Sequence, residues 1–352
     1  MSTVVNVIIA LLVFGAIIFF HELGHFLLAK KNGIAVNEFA IGMGPTICSI
    51  TKNETKYAIN LIPMGGYCMM LGEEEEVNDE HSFSSKSVWA RLSVILAGPI
   101  FNFILAFILA VILISVSGYD LPKIVGFSET SAAKAAGVQE GDIVTSFNGH
   151  RIYNYREILV YMQFEQGEEI TLGVERDGEK FTYAITPEKT DTGYLLGIQS
   201  PARVKESAFE VIKYSFLELR YQIKTTYQSL GYLISGKVGF KNMSGPVGIV
   251  SMMSDTIDEA KNSADGDTSV AIINVVLNMM NFCIMLSANL GVMNLLPIPA
   301  LDGGRTLFLL FEMIFGKPIP TDKEAVVNTI GFVLLIGLMV VVMFQDIIKL
   351  IQ

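Results

Sequence analysis

Two histidines and a glutamate lie close together in His21-Glu22-Leu23-Gly24-His25, at the inner end of an apolar run from Val4 to Phe20. On a helix, positions i and i+4 share a face, so both imidazoles can bind one Zn²⁺. The glutamate between them then stands beside the metal's water, placed to act as a general base. Three ionisable groups at the end of a membrane span are costly, which marks them as functional. Polar side chains snorkelling from a helix end would account for one histidine, but not for the full spacing.

Catalytic zinc needs a third protein ligand and one open position. The chain has four histidines; His81 follows the acidic run Glu73–Glu76, and His150 sits at a turn far along the sequence. A carboxylate is the better source, and Asp302 is the first candidate. It closes Asn294-Leu295-Leu296-Pro297-Ile298-Pro299-Ala300-Leu301-Asp302-Gly303-Gly304, where the prolines break a helix and free backbone groups. An N-cap for a helix over Arg305–Phe315, worth about 1 kcal/mol, is the alternative role for Asp302. Asp346 is the rival carboxylate. Asn289 and Asn294 could donate to a developing oxyanion, or simply bond between helices for about 1 kcal/mol.

These groups need a membrane scaffold, and the composition provides one. Hydrophobic residues make up 51% and charged residues 17%, where soluble domains carry about a quarter charged. Four stretches can cross ~30 Å of hydrocarbon: Val4–Leu28, Leu92–Ser117, Val270–Leu301 and Ala325–Gln345. No basic residue precedes the first run and no small-x-small site follows it, so it is read as a span rather than a cleaved leader. Lys30, Lys31, Lys86 and Arg91 put residues 30–91 in the cytoplasm, as Arg305, Lys317 and Lys323 do for the connector before the last span. Both termini and residues 118–269 then face outside. His21, His25 and Asp302 meet at one depth on this count. A net charge of -10 argues against nucleic acid as a partner, and three cysteines define no disulfide framework.

Residues 120–200 read as a small α/β domain. Its apolar runs are Lys123–Phe127, Ile143–Phe147, Ile170–Val174 and Phe181–Ile185, its turns Asn148-Gly149 and Asp177-Gly178, and its helices Ser131–Ala136 and Tyr155–Phe164. Phe209, Ile212, Phe216, Leu219 and Ile223 recur at helical spacing, predicting an amphipathic helix on the outer leaflet. Asp255–Thr268 is polar and reads as a loop.

Several pieces, in this order, resemble the site-2 proteases, zinc metalloproteases that cut within membranes, and most of all the regulator-of-sigma-E branch. They are His21–His25, Asn289-Leu290-Gly291-Val292-Met293-Asn294-Leu295, Pro297–Gly303 and Ser244-Gly245-Pro246-Val247-Gly248. The segment Ala132–Val144 with Asn148-Gly149 resembles a PDZ domain. Ile41–Pro45 and Tyr57–Met70 resemble the family's membrane-re-entrant β-loop. The resemblance implies His21, His25 and Asp302 as zinc ligands, Glu22 as catalytic base, and substrate contacts from Asn289 and Asn294. Tyr57, Ile59, Gly65, Gly66 and Pro297 are further candidate substrate contacts, since a strand edge could hold an unwound substrate. The sigma-E enzymes carry two PDZ domains and here one is found, which argues against a filter that needs a tandem pair.

The expected fold is a polytopic α-helical membrane protein of four transmembrane helices with a re-entrant β-loop and an inserted PDZ domain. Its segments are 1–29, first span with the metal motif; 30–91, cytoplasmic with the β-loop; 92–117, second span; 118–200, PDZ domain; 201–269, amphipathic helix and linker; 270–301, third span; and 302–352, connector and fourth span. The expected partners are single-pass membrane substrates, either anti-sigma-factor-like proteins or signal-peptide remnants, together with the lipid bilayer of a bacterial plasma membrane. A non-proteolytic PDZ adaptor would not need the base at Glu22. A metal transporter would want ligands along several spans, and spans two and four carry no acidic or histidine residue in their interiors.

Overall fold

The computed structural model describes residues 3–73, 77–163, 167–190, 193–199, 202–204, 207–237, 239, 243–263, 267–317 and 319–351. Three residues of the acidic run, Glu74–Glu76, and the end of the expected helix at Phe164 lie outside them. The chain divides into two compact units, Met1–Leu109 with Thr226–Gln352, and Ala110–Thr225.

Among the described residues, the first unit is helical apart from one sheet. Four helices among the described residues are long and apolar enough to cross a membrane: α1 (Thr3–Lys31), α2 (Val88–Ser117), α7 (Thr268–Asn294) and α9 (Thr321–Ile351). Helix α7 stops at Asn294, so the expected third span is helical only that far, and residues 295–301 run as turns into α8 (Asp302–Phe315). Pro297 and Pro299 explain the break, because neither can donate to a helical ladder. The segment expected as a polar loop is corrected. α6 (Pro246–Asn262) runs through most of it, burying Met253, Ile257 and Ala260 at i, i+4 and i+7. Met253 and Ile257 form one of the unit's apolar cores with Ala10 and Met279.

Between α1 and α2 the chain makes β1 (Val36–Lys52) and β2 (Thr55–Met70). Each strand doubles back. Ile41 faces both Gly66 and Ile59, Phe39 faces both Cys68 and Tyr57, and Cys48 also faces Ile59. Ala58 and Ile59 are therefore flanked on two sides. Among the described residues, Gly66–Met70 has a strand partner on one side only, which leaves it an edge.

The second unit is built on an antiparallel sheet with Ile143–Phe147 between His150–Arg151 and Ile170–Arg176, and Glu179–Ile185 outermost. Its short helices α3 (Ala132–Ala135) and α4 (Tyr155–Met162) start from side-chain caps, Ser131 and Asn154. Phe147, Ile158, Ile170 and Leu172 are fully buried at its core. Helix α5 (Ala208–Ile234) buries Val211, Tyr214, Glu218 and Tyr221 and exposes Phe209, Ile212 and Phe216.

Candidate metal centre

Helix α1 carries His21 and His25 one turn apart with their rings edge to face, 4.8 Å between centroids. Their Nε2 atoms are 3.2 Å apart. Asp302, at the first turn of α8, brings its Oδ2 within 3.2 Å of His21 Nε2 and 3.5 Å of His25 Nε2. Both histidines are buried, and Asp302 Oδ2 is buried with no hydrogen-bond partner. Among the described residues this is the one group of three histidine, cysteine or acidic side chains whose ligand atoms converge. Asp302 does not serve as an N-cap, since Leu301 holds that position.

The outer partners fix the tautomer of His25 and are compatible with the same one at His21. The Val94 carbonyl, 2.9 Å from His25 Nδ1, can only accept, so Nδ1 carries the proton and the lone pair sits on Nε2. His21 Nδ1 faces the carboxamide of Asn102, whose nitrogen is 3.1 Å away and whose Oδ1 is buried without a partner. Exchanging that carboxamide's near-isosteric oxygen and nitrogen lets Oδ1 accept from Nδ1–H, and the lone pair on His21 also falls on Nε2. Three electron-rich atoms then face one another.

Zn²⁺ fits this arrangement. Tetrahedral ligands at about 2.0–2.1 Å from zinc lie ~3.3 Å from each other, and the triangle here has edges of 3.2, 3.2 and 3.5 Å. Gly98 on α2 leaves the space open. A Cβ there would lie 2.3 Å from His25 Nε2 and 2.7 Å from His21 Cε1.

Around the triangle, Asn294 at the end of α7 brings its side-chain nitrogen to 3.3 Å from His21 Nε2. Glu22, half-buried, lies against the sheet at Gly66, where an added Cβ would touch its Cγ at 3.4 Å. Gly65, before Gly66 in the same strand, has φ +87°. Tyr57 is turned toward Phe26 and Phe39, Ile59 is half-exposed in the doubly flanked strand, and Pro297 is exposed in the segment after α7.

Other candidates sit elsewhere. Asn289 accepts a hydrogen bond from Thr226 on α5 and is one and a half turns from Asn294 along α7. Asp346 accepts from the backbone N–H of Gly245 and Gly248, both at 2.8 Å, at the start of α6. His81 contacts the Gly33 carbonyl and His150 stacks on Tyr161. Sequence reasoning missed Gly98 and Asn102. Their signal was Gly98-Pro99 and a lone asparagine inside an otherwise apolar run.

A model of peptidase family M50 matches residues 9–338. A Clostridium acetobutylicum chain named for zinc metalloprotease activity is 41% identical over 345 residues, 97% of each chain. The zinc metalloprotease RasP of Geobacillus kaustophilus is 33% identical over 99% of both chains. The regulator of sigma-W protease RasP of Bacillus subtilis is 33% identical over 97% of this chain and 98% of its own.

Proposed function

The chain belongs to peptidase family M50 and is a multi-pass membrane zinc metalloprotease, and we propose that it cleaves peptide bonds inside the transmembrane segments of single-pass substrates. The observation that carries this reading is the buried convergence of His21, His25 and Asp302, whose Oδ2 has no hydrogen-bond partner, with Glu22 next to His21 on the same helix. On this reading those three residues hold the metal, with Val94 and Asn102 orienting the imidazoles. When bound, zinc supplies Lewis acidity, bringing water toward a pKa of about 7 and polarising the scissile carbonyl.

The chain's own residues do the rest. The Glu22 carboxylate takes the proton from the attacking water and delivers it to the departing amide nitrogen. The Asn294 carboxamide donates to the carbonyl oxygen as negative charge grows there. A helical substrate hides its amides in its own hydrogen bonds, so it must unwind before attack. The re-entrant β-loop offers the Gly66–Met70 edge for that unwound segment, beside Glu22. Gly65 and Gly66 shape the approach. Ile59 sits two strands in from that edge, with Ile41 between, and Tyr57 props the loop against α1 through Phe26.

The α/β unit is a PDZ domain that screens the substrate's extracytoplasmic part. Residues 30–91 face the cytoplasm of a bacterial plasma membrane, with both termini outside. The name of the Bacillus relative supports an anti-sigma-factor-like substrate, with signal-peptide remnants the other class.

The test is cleavage of a panel of single-span substrates by wild type and Glu22→Gln, with zinc measured in both. Glu22→Gln should keep its zinc and lose ~10²-fold or more in turnover. Substrates with helix-breaking residues in the span should be cut faster than stable helices. Normal turnover by the variant removes Glu22 as base, and equal rates across the panel remove strand addition.

A further inference from the structure

Asp302 is the first residue of α8, and the turn that leads into it has an unusual conformation. The Leu301 N–H donates to the Ile298 carbonyl at 3.2 Å, closing Ile298-Pro299-Ala300-Leu301. Ala300, third in the turn, has φ +72°. Proline at the second position with positive φ at the third is type II geometry, which favours glycine or asparagine where this chain has alanine. In type II the central amide is flipped relative to type I, so the Ala300 N–H points away from the turn. It finds an acceptor outside. The Oδ1 of Asn328, on α9, accepts it at 3.1 Å.

Helix α9 is shaped for this contact. Gly331, one turn beyond Asn328, lets the helix backbone lie on Pro299, where a Cβ would come within 2.5 Å of the proline ring. The groove beside the contact is lined by Val327, Ile330, Leu334 and Leu335 together with Ile298, and these side chains offer no substitute acceptor. At its far end α9 is fixed again, through Asp346 to the start of α6 and Lys349 to the Met243 carbonyl.

We propose that Asn328 is a positioning residue for the metal site: by holding the Ala300 amide in the flipped orientation, it aims Asp302 at the two imidazoles. This deepens the reading of Asp302 as a ligand and rests on it. Without the Asn328 oxygen, Ala300 is free to return to negative φ and the turn to type I, and the exit direction of Leu301 and Asp302 shifts. Ligand sets tolerate little of this, since misplacement of about half an ångström degrades a site.

The experiment measures the zinc dissociation constant of the purified full-length chain by chelator competition, and the melting temperature of the metal-free protein. Asn328→Ala should weaken zinc about tenfold or more, as outer-shell changes do, while the metal-free melting temperature stays near wild type. Asn328→Asp keeps the acceptor and should bind zinc close to wild type. Ala300→Gly, which favours positive φ, should restore much of the affinity in the Asn328→Ala background. Ala300→Val, which opposes positive φ, should weaken zinc with Asn328 intact, and it serves if Asn328→Ala fails to fold. Unchanged zinc affinity in Asn328→Ala or in Ala300→Val, or a double variant no tighter than the single, overturns the proposal. Asp302→Ala separates the two levels: if it too binds zinc normally, the ligand assignment itself has failed.

Discussion

The buried acids of the α/β unit and the Asp302 carboxylate of the helical unit are satisfied in different ways. In the α/β unit each buried acid meets cations. Asp142 takes a two-pronged bond from Arg176, at 2.7 and 2.8 Å, plus the Gln139 N–H at 2.9 Å. Glu157 faces Arg220 and Lys224, and Glu218 faces Arg156 with Gln222 at 2.8 Å. In the helical unit Glu73 and Glu312 are likewise paired, with Arg305 and Arg91. Among the described residues, Asp302 alone turns a buried oxygen toward two imidazole nitrogens with no side-chain cation against it. Asp346 also has one unpartnered oxygen, but its other accepts two backbone N–H groups and no imidazole converges on it. A lone buried oxygen is therefore not the mark of a metal site. Convergence of several lone pairs is the better indication, because the arrangement needs a cation or a shared proton between the atoms to be favourable.

The largest expected effect comes from closing that convergence. Gly98→Ala puts a methyl group 2.3 Å from His25 Nε2. It should weaken zinc by at least about 100-fold, the top of the range for outer-shell changes, and abolish cleavage. Helix α2 should keep its helicity, since alanine is the better helix former. Chelator competition measures the first and circular dichroism the second. Wild-type zinc affinity in this variant would mean that the metal lies away from the space Gly98 leaves, and the contrast between the units would lose its basis.

How much of this was legible follows from which contacts are local. His21, Glu22 and His25 sit within one helical turn, so their spacing carries their geometry. Asp302 was reachable because Pro297 and Pro299 announce a broken helix next to an acid, but its distance to the histidines depends on how α1 and α8 pack. Gly98 and Asn102 were passed over, because hydropathy counts a glycine and one asparagine in a long apolar span as minor interruptions. Helix α6 was missed for a related reason. Polar residues on its exposed face hid the Met253, Ile257 and Ala260 stripe. The doubling of β1 and β2 depends on long-range register, which local alternation does not encode. It placed Ile59 between two strands and left the edge at Gly66–Met70.

A middle-sized effect tests the paired side of the comparison. Glu218→Ala leaves Arg156 beside a buried gap and should destabilise the α/β unit by about 3 kcal/mol, reduced toward ~2 because the guanidinium is partly exposed. Hydrogen exchange over residues 110–225 in the full-length chain should show lower protection, while zinc affinity stays at the wild-type value. A matching loss of zinc would show that the two sets of buried charges are coupled, and the comparison would have to treat them as one system.

The smallest expected effect is the pH response of Asp142. Burial pushes its carboxyl up, but the Arg176 guanidinium and the Gln139 N–H outweigh that and hold it below the ordinary value. A folded-state pKa below the unfolded one means that the unfolded chain binds the proton more readily. The stabilisation is therefore fully present above the ordinary carboxylate range and is lost as pH falls through the folded value. Protection factors over Ile143–Phe147 should be level from neutral pH down to about 5 and decline below that. Asp142→Asn should start lower at neutral pH and show a flatter decline, because no charge is left to neutralise. High salt should narrow the gap between the two proteins only modestly, since buried pairs are screened less than exposed ones. Protection that rose on acidification in wild type but not in the variant would mean that Asp142 is strained by its pairing rather than held by it. In that case, a buried acid with a cation beside it could not be read as satisfied.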